Sequence, residues 1–383
     1  MALALYIHWP FCLAKCPYCD FNSHVRDRTD MAAWADALLA DMRHEAQLTP
    51  GRKLTSIFFG GGTPSLMPPA LVETLLREAQ GLWGFAPGIE ITLEANPSSV
   101  EAANFAALAS AGIDRVSLGL QALDDKTLKF LGRLHGVTES LAALDLAQSH
   151  FSRVSFDLIY ARPEQTPAQW QAELQRALAF GTGHLSLYQL TIEPGTRFAT
   201  LVREGQLTPL DDDQAADLFT LTRELTAAAG LPAYETSNHA RPGEESRHNL
   251  TYWRYQDYVG IGPGAHGRRL GAATVRHKKP ENFLRAVSEQ KHGIAEERHL
   301  IPSDQAMEAV LMGLRLAEGI EPVPLAARFG FTANDLIDPA KRDFYVRLGH
   351  LAEDRGRLSV TEQGAPLLEA LLAELVPAAL VGA

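Results

Sequence analysis

The sequence predicts an α/β fold: a partial (β/α)6 barrel of the TIM type, followed by a small, mostly helical, winged-helix-like domain. Three observations predict it. Short apolar segments rich in β-branched and aromatic residues alternate with amphipathic stretches along the first half of the chain, the rhythm of parallel strands joined by right-handed helical crossovers. Several of these segments are apolar on both faces, as strands covered on each side by helices must be. The residues out of character with an apolar strand, among them cysteines, a triple glycine and a lone glutamate, gather where the strands end, which is where parallel barrels assemble their sites.

In chain order, strands are expected at 4–8, 55–59, 90–94, 115–120, 153–159 and 184–190. Helices are expected between them at 31–47, 69–83, 100–111, 137–149 and 167–180. Residues 236–300, with many His, Arg and Gly, read as an irregular bridge between a first domain over 1–235 and a last one over 301–383. In the last domain Met307, Val310, Leu311 and Leu314 carry the spacing of one helical face, with Ser303 as N-cap. Further helices at 322–329 and 343–353, a strand at 357–360 and a helix at 365–375 complete the module.

Composition narrows the function. The 383 residues carry a net charge of −11 and no basic stripe, which argues against nucleic-acid binding. No apolar run reaches membrane-spanning length. The opening segment, MALALYIHWPF, lacks the positive region of a secretory leader, so a cytoplasmic location is expected. The three cysteines fall within eight residues, a cluster that suits metal or redox chemistry better than a disulfide framework.

That cluster is Cys12, Cys16 and Cys19, in the spacing C-x3-C-x2-C just after the first strand. Three thiolates on a cubane would leave one iron open for a further ligand. A structural zinc would need a fourth ligand, from His8 or His24 without the usual spacing. A redox pair of Cys16 and Cys19 is the third option. The motif, with the Tyr6-Ile7-His8-Trp9-Pro10-Phe11-Cys12 lead-in, resembles the radical-SAM superfamily, in the branch that holds oxygen-independent coproporphyrinogen III oxidase and its heme-chaperone relatives. The resemblance runs from Tyr6 to about Gly267 and continues more weakly through the last module. It implies a radical-SAM barrel, a 4Fe–4S cluster on the three cysteines and S-adenosylmethionine on the open iron, where reduction yields a 5′-deoxyadenosyl radical.

The same resemblance implies a cofactor pocket formed by Tyr6, Tyr18, Gly61, Gly62, Thr63, Glu94, Gln121, Arg133 and Asp157. Read without it, the triple glycine is a tight turn, Glu94 a partner for Arg115 or another basic residue, and the other polar residues ordinary hydrogen-bonders. One departure is visible: the family's Tyr-Gly-Leu-Pro is here Tyr160-Ala161-Arg162-Pro163.

Two features separate the members of the branch. The oxidases carry one more cysteine two residues after the third, where this chain has Phe21, a side chain without redox or hydrogen-bonding capacity. In addition His248-Asn249-Leu250-Thr251-Tyr252-Trp253 resembles the segment linked to heme binding in the chaperones. An imidazole suits an axial position, and Tyr252 and Trp253 offer flat faces to a porphyrin. Read in isolation, His248 is a structural histidine. The expected function is heme chaperoning rather than catalysis, with oxidative decarboxylation of coproporphyrinogen III as the alternative. Heme as cargo, heme-accepting apoproteins, an electron donor, peripheral membrane contact and a homodimer are the partners it implies.

Overall fold

The computed structural model describes residues 2–26, 29–377 and 380. Strand β1 (Ala2–Trp9) buries every residue from Leu3 to Trp9 except the half-buried Tyr6, the two-faced burial of a strand inside a parallel sheet. After Pro10, the two-residue strand β2 (Phe11–Cys12) pairs with β3 (His24–Val25) and closes the cysteine loop between them. The remaining expected strands follow as β4 (Lys53–Gly61), β5 (Phe85–Ala95), β6 (Arg115–Gln121), β7 (Arg153–Tyr160) and β8 (His184–Gln189). From β1 through β8 these six pair in parallel, each beside the next.

The intervening helices begin where local chemistry allows. Asp30 caps the helix Met31–Leu48 by accepting from the N–H groups of Ala32 and Ala33, and a capping box of Thr166 and Gln169 starts Pro167–Leu178. The helix expected over 100–111 is two pieces, Ser99–Ala102 and Phe105–Ser110. Between them the Asn104 N–H reaches back three residues to Glu101 rather than four, so a tight turn interrupts the helical ladder.

Residues 236–300 depart from the irregular bridge expected for them. They form β9 (Asn238–Ala240), β10 (Tyr258–Ile261), β11 (His266–Arg269), β12 (Ala272–Arg276) and β13 (Ile294–His299). Strand β10 adds a seventh parallel strand beside β1, and β11, β12 and β13 continue the sheet antiparallel to eleven strands. The reason is long-range. Arg269 and Arg276 enter the interior, where Arg269 pairs with Glu45 at 2.6 Å and Arg276 with Asp41 and Glu45, both acids on the helix Met31–Leu48. Asp41 also accepts from the N–H groups of Gly262 and Gly293. Burying a charge is costly unless it is paired and hydrogen-bonded, so the polar residues that look irregular in sequence are the fasteners of this edge.

The last module is the expected set of helices with an antiparallel hairpin, β14 (Leu351–Asp354) and β15 (Arg357–Val360), as a winged-helix-like reading requires. Two details differ. Pro302 occupies the first helical position and extended Ile301 precedes it, so Ser303 lies inside the helix and does not cap it. The helix expected over 343–353 runs instead over Pro339–Arg347, started by the Asp338 carboxylate, and residues 351–354 join the hairpin. The module has its own apolar cluster, including Val310, Leu336, Leu358 and Leu372. Among the described residues no helix is long and apolar enough to cross a membrane.

The main core lies between the parallel sheet and its helices. One part supports the cysteine loop directly. Trp9, Phe11 and Trp34 meet edge to face, with centroids 5.1 to 6.0 Å apart, and Phe283 stacks on Trp34 at 5.9 Å. Each such pair adds about 0.5–1.5 kcal/mol beyond its buried area, so the loop leaves from a stiff base.

Candidate functional site

The C-terminal ends of β1 and β4 to β7 open into one cleft. Cys12, Cys16, Tyr18, Cys19, Gly61, Gly62, Thr63, Glu94, Gln121, Arg133 and Asp157 all line it, around about 740 Å³ of empty space. These eleven residues come from six separate segments of the chain's first 157 residues, and only the tertiary fold brings them to one place.

The triple glycine runs against the cysteine loop. The Gly62 N–H donates to Trp9 O at 2.7 Å and the Thr63 N–H to Phe11 O at 2.9 Å. A Cβ on Gly62 would stand 2.8 Å from Phe11 O and 3.0 Å from Cys12 Sγ, contacts that no side chain at this position could relieve. Gly61, at φ +116°, is in a region that only glycine adopts freely. The glycines are there because two backbones and a thiol converge.

The three thiols form no disulfide. Thr63 Oγ1 lies 3.4 Å from Cys12 Sγ, and an Arg133 N–H points to Cys16 Sγ at 3.5 Å. Burial pushes the Cys12 and Cys19 thiols up, and the neighbouring thiols add to it. A bound cationic metal centre reverses that penalty by holding the sulfurs as thiolates. Among the described residues no three His, Cys, Asp or Glu side chains converge tightly enough for a single metal ion. All three thiols line the cleft. Arg133 also donates to Gly119 O at 2.9 Å and to the Asn96 side chain, yet its buried Nε has no partner among the described residues. An arginine with an unpartnered N–H at a cleft wall fits a ligand that brings a carboxylate.

Glu94 makes no ion pair with Arg115. It accepts from the Gly61 N–H at 3.2 Å, and burial, with Asp157 facing it, raises its pKa to about 8. Asp157, held by Ser117 at 3.1 Å, is likewise pushed up by burial, to about 6. Two half-buried carboxyls with raised pKa values form an acidic wall that favours a cationic group between them. Gln121 adopts φ +70° at the end of β6, which turns the chain at the cleft floor. Ala161, where the family pattern has glycine, sits at φ +55°, so the glycine conformation is kept without the glycine.

A second, wider cavity adjoins the first and shares Phe21, Ser23, Gly61 and Glu94 with it. Tyr6 lines this one and not the first, its hydroxyl bonded to His8 Nδ1 at 3.0 Å. Tyr252 and Trp253 line it too. His248 does not. It is 1% exposed, with Nδ1 on Ser56 Oγ at 3.0 Å and Nε2 on the Tyr252 hydroxyl, and burial lowers its pKa to about 3. Both imidazole nitrogens are occupied by protein groups, so in this conformation His248 orients Tyr252 rather than facing the cavity.

Sequence reasoning missed Ser117 and Gly119 in the first cavity, and His266, Arg268, Lys278 and Met312 in the second. The available signal was the alternation His266-Gly267-Arg268, which on a strand puts both polar side chains on one face.

A model described as the radical SAM superfamily matches residues 6–177, and one described as the HemN C-terminal domain matches residues 300–367. The chain is 38% identical to a protein named heme chaperone HemW from Escherichia coli (strain K12), over 97% of this chain and 97% of that one. It is 39% identical to radical S-adenosyl methionine domain-containing protein 1, mitochondrial, from Bos taurus, over 83% of this chain and 74% of that one. Among solved structures, coproporphyrinogen III oxidase (HemN) from Escherichia coli superposes with a TM-score of 0.82 at 22% identity, covering 97% of this chain and 89% of that one. The last likeness speaks for the fold.

Proposed function

Because this chain belongs to the HemW family of radical SAM proteins, we propose that it binds heme and hands it to acceptor apoproteins. In this reading Cys12, Cys16 and Cys19 hold a 4Fe–4S cluster. Tyr18, Gly61, Gly62, Thr63, Glu94, Gln121, Arg133 and Asp157 receive S-adenosylmethionine, with Tyr6 on the wall of the adjoining wider cavity. Bound together, cluster and cofactor would supply one-electron reductive chemistry at a sulfonium centre. The protein's own part is to seat both: Glu94 and Asp157 attract a cationic group, Arg133 takes a carboxylate, and the glycine backbone allows close approach.

The observation that carries the proposal is the junction of the two cavities. The wider one is a solvent-open cleft of about 1650 Å³, walled by Tyr6, Tyr252, Trp253 and Tyr258, the flat amphipathic surfaces a porphyrin needs. Residues 1–235 serve as the radical-SAM unit, 236–300 as the segment that carries heme contacts, and 301–383 as the closing module. We place the protein in the cytoplasm, with an electron donor and heme-accepting apoproteins as partners; self-association and contact with a membrane surface belong to the same reading.

The test is anaerobic reconstitution followed by separate offers of heme and coproporphyrinogen III. Protein with about four irons should bind heme, release it to an apoprotein, and leave coproporphyrinogen III unconsumed. Decarboxylation of coproporphyrinogen III without heme binding would make the protein an oxidase instead.

A further inference from the structure

We infer that the wider cavity binds heme through His266 as axial ligand, with Arg268 and Lys278 as partners of the two propionates; this rests on the heme-binding reading above.

Three histidines line the cavity, and two are engaged. His8 bonds the Tyr6 hydroxyl through Nδ1 and Asn22 O through Nε2, the latter at 2.9 Å. His24 is held by the Asn22 side chain at 3.3 Å. His266 is exposed, and its imidazole makes no hydrogen bond to another described residue. Partial burial and the Lys278 charge lower its pKa, which keeps the ring neutral and able to donate a lone pair to iron.

Arg268 supplies the second observation. It is 6% exposed, yet its only polar partners are Gln256 O at 3.1 Å and Met312 Sδ at 3.7 Å. Its guanidinium lies 3.6 Å from the Tyr255 ring centroid. Among the described residues it forms no ion pair, a state it shares with buried Arg115, which lines neither cavity, whereas Arg162, Arg269 and Arg276 are each neutralised by a carboxylate. A buried cation left without a counter-charge at a cavity wall is a seat for an anion. His266 and Arg268 are two residues apart on β11 and so project from the same face. Exposed Lys278 adds a second cation at the same cavity. A ligand that meets these groups together is a flat apolar ring bearing a metal and carboxylates.

The experiment is a titration of the reconstituted full-length protein with ferric heme and with heme dimethyl ester, followed by absorption. Wild type should shift the Soret band and prefer heme over its ester. His266→Ala should lose that shift, while His248→Ala should keep it. Arg268→Gln should weaken heme binding about ten- to a hundredfold and leave the ester unaffected. Lys278→Gln, at an exposed position, should act in the same direction and guards against misfolding of the Arg268 variant. No heme binding by wild type would refute the chaperone reading itself. Heme binding with a Soret band indifferent to His266, or lost in His248→Ala, would overturn the axial assignment. Equal affinity of wild type for heme and ester would overturn the propionate assignment.

Discussion

Replacing Glu94 by Gln should make the apoprotein more stable, and increasingly so as the pH rises. Glu94 titrates near 4.5 in an unfolded chain and at about 8 in the folded one, because of burial first and the facing Asp157 second. A carboxyl whose folded pKa is raised keeps its proton in the native state after the unfolded chain has released it. Stability is therefore undiminished below pH 4.5 and falls progressively as the pH rises towards 8. At 1.36 kcal/mol per pH unit the displacement corresponds to about 5 kcal/mol, and the openness of the cleft to water reduces this to about 2 kcal/mol. Glutamine keeps an oxygen for the Gly61 N–H and cannot ionise. Urea unfolding of metal-free wild type and Glu94→Gln should give equal free energies at pH 4.5 and a difference of about 2 kcal/mol in favour of the variant at pH 8.5. Parallel stability curves across that range, or a variant weaker at pH 8.5, would refute the account of Glu94 as a strained buried carboxylate.

Two backbone positions give further predictions. Gly62→Ala should cost about 1–3 kcal/mol, because the new Cβ would meet Phe11 O and Cys12 Sγ at 2.8 and 3.0 Å; urea unfolding and a lower iron content after reconstitution would check it, and wild-type values for both would contradict it. Ala161→Gly should stabilise by about 0.5–1 kcal/mol, since relief of the left-handed conformation at φ +55° exceeds the added entropy of the unfolded chain; a lowered thermal midpoint would contradict that.

Much of the first cavity is legible in the sequence because its chemistry is local. Cysteine spacing, a triple glycine and a glutamate ending an apolar strand each occupy a few consecutive residues, and strand periodicity places them at the same end of a parallel sheet. The six strands that carry them lie where the periodicity puts them. The cavity-facing side of residues 236–300 is not legible in this way. His248 stands in a motif suited to heme, yet the helix Arg247–Trp253 turns its ring under the sheet to Ser56, 192 residues away.

What the sequence by itself determined was the kind of site: which thiols cluster, which strand ends they follow, and which position lacks a further thiol. Only the tertiary structure decided which histidines line the second cavity. That choice depends on β11 and β12 folding back beside β10 and β1, and on Arg269 and Arg276 finding Glu45 and Asp41 more than 200 residues earlier in the chain. A charge is buried or exposed according to its partner in space, and spacing along the chain carries no record of a partner that distant.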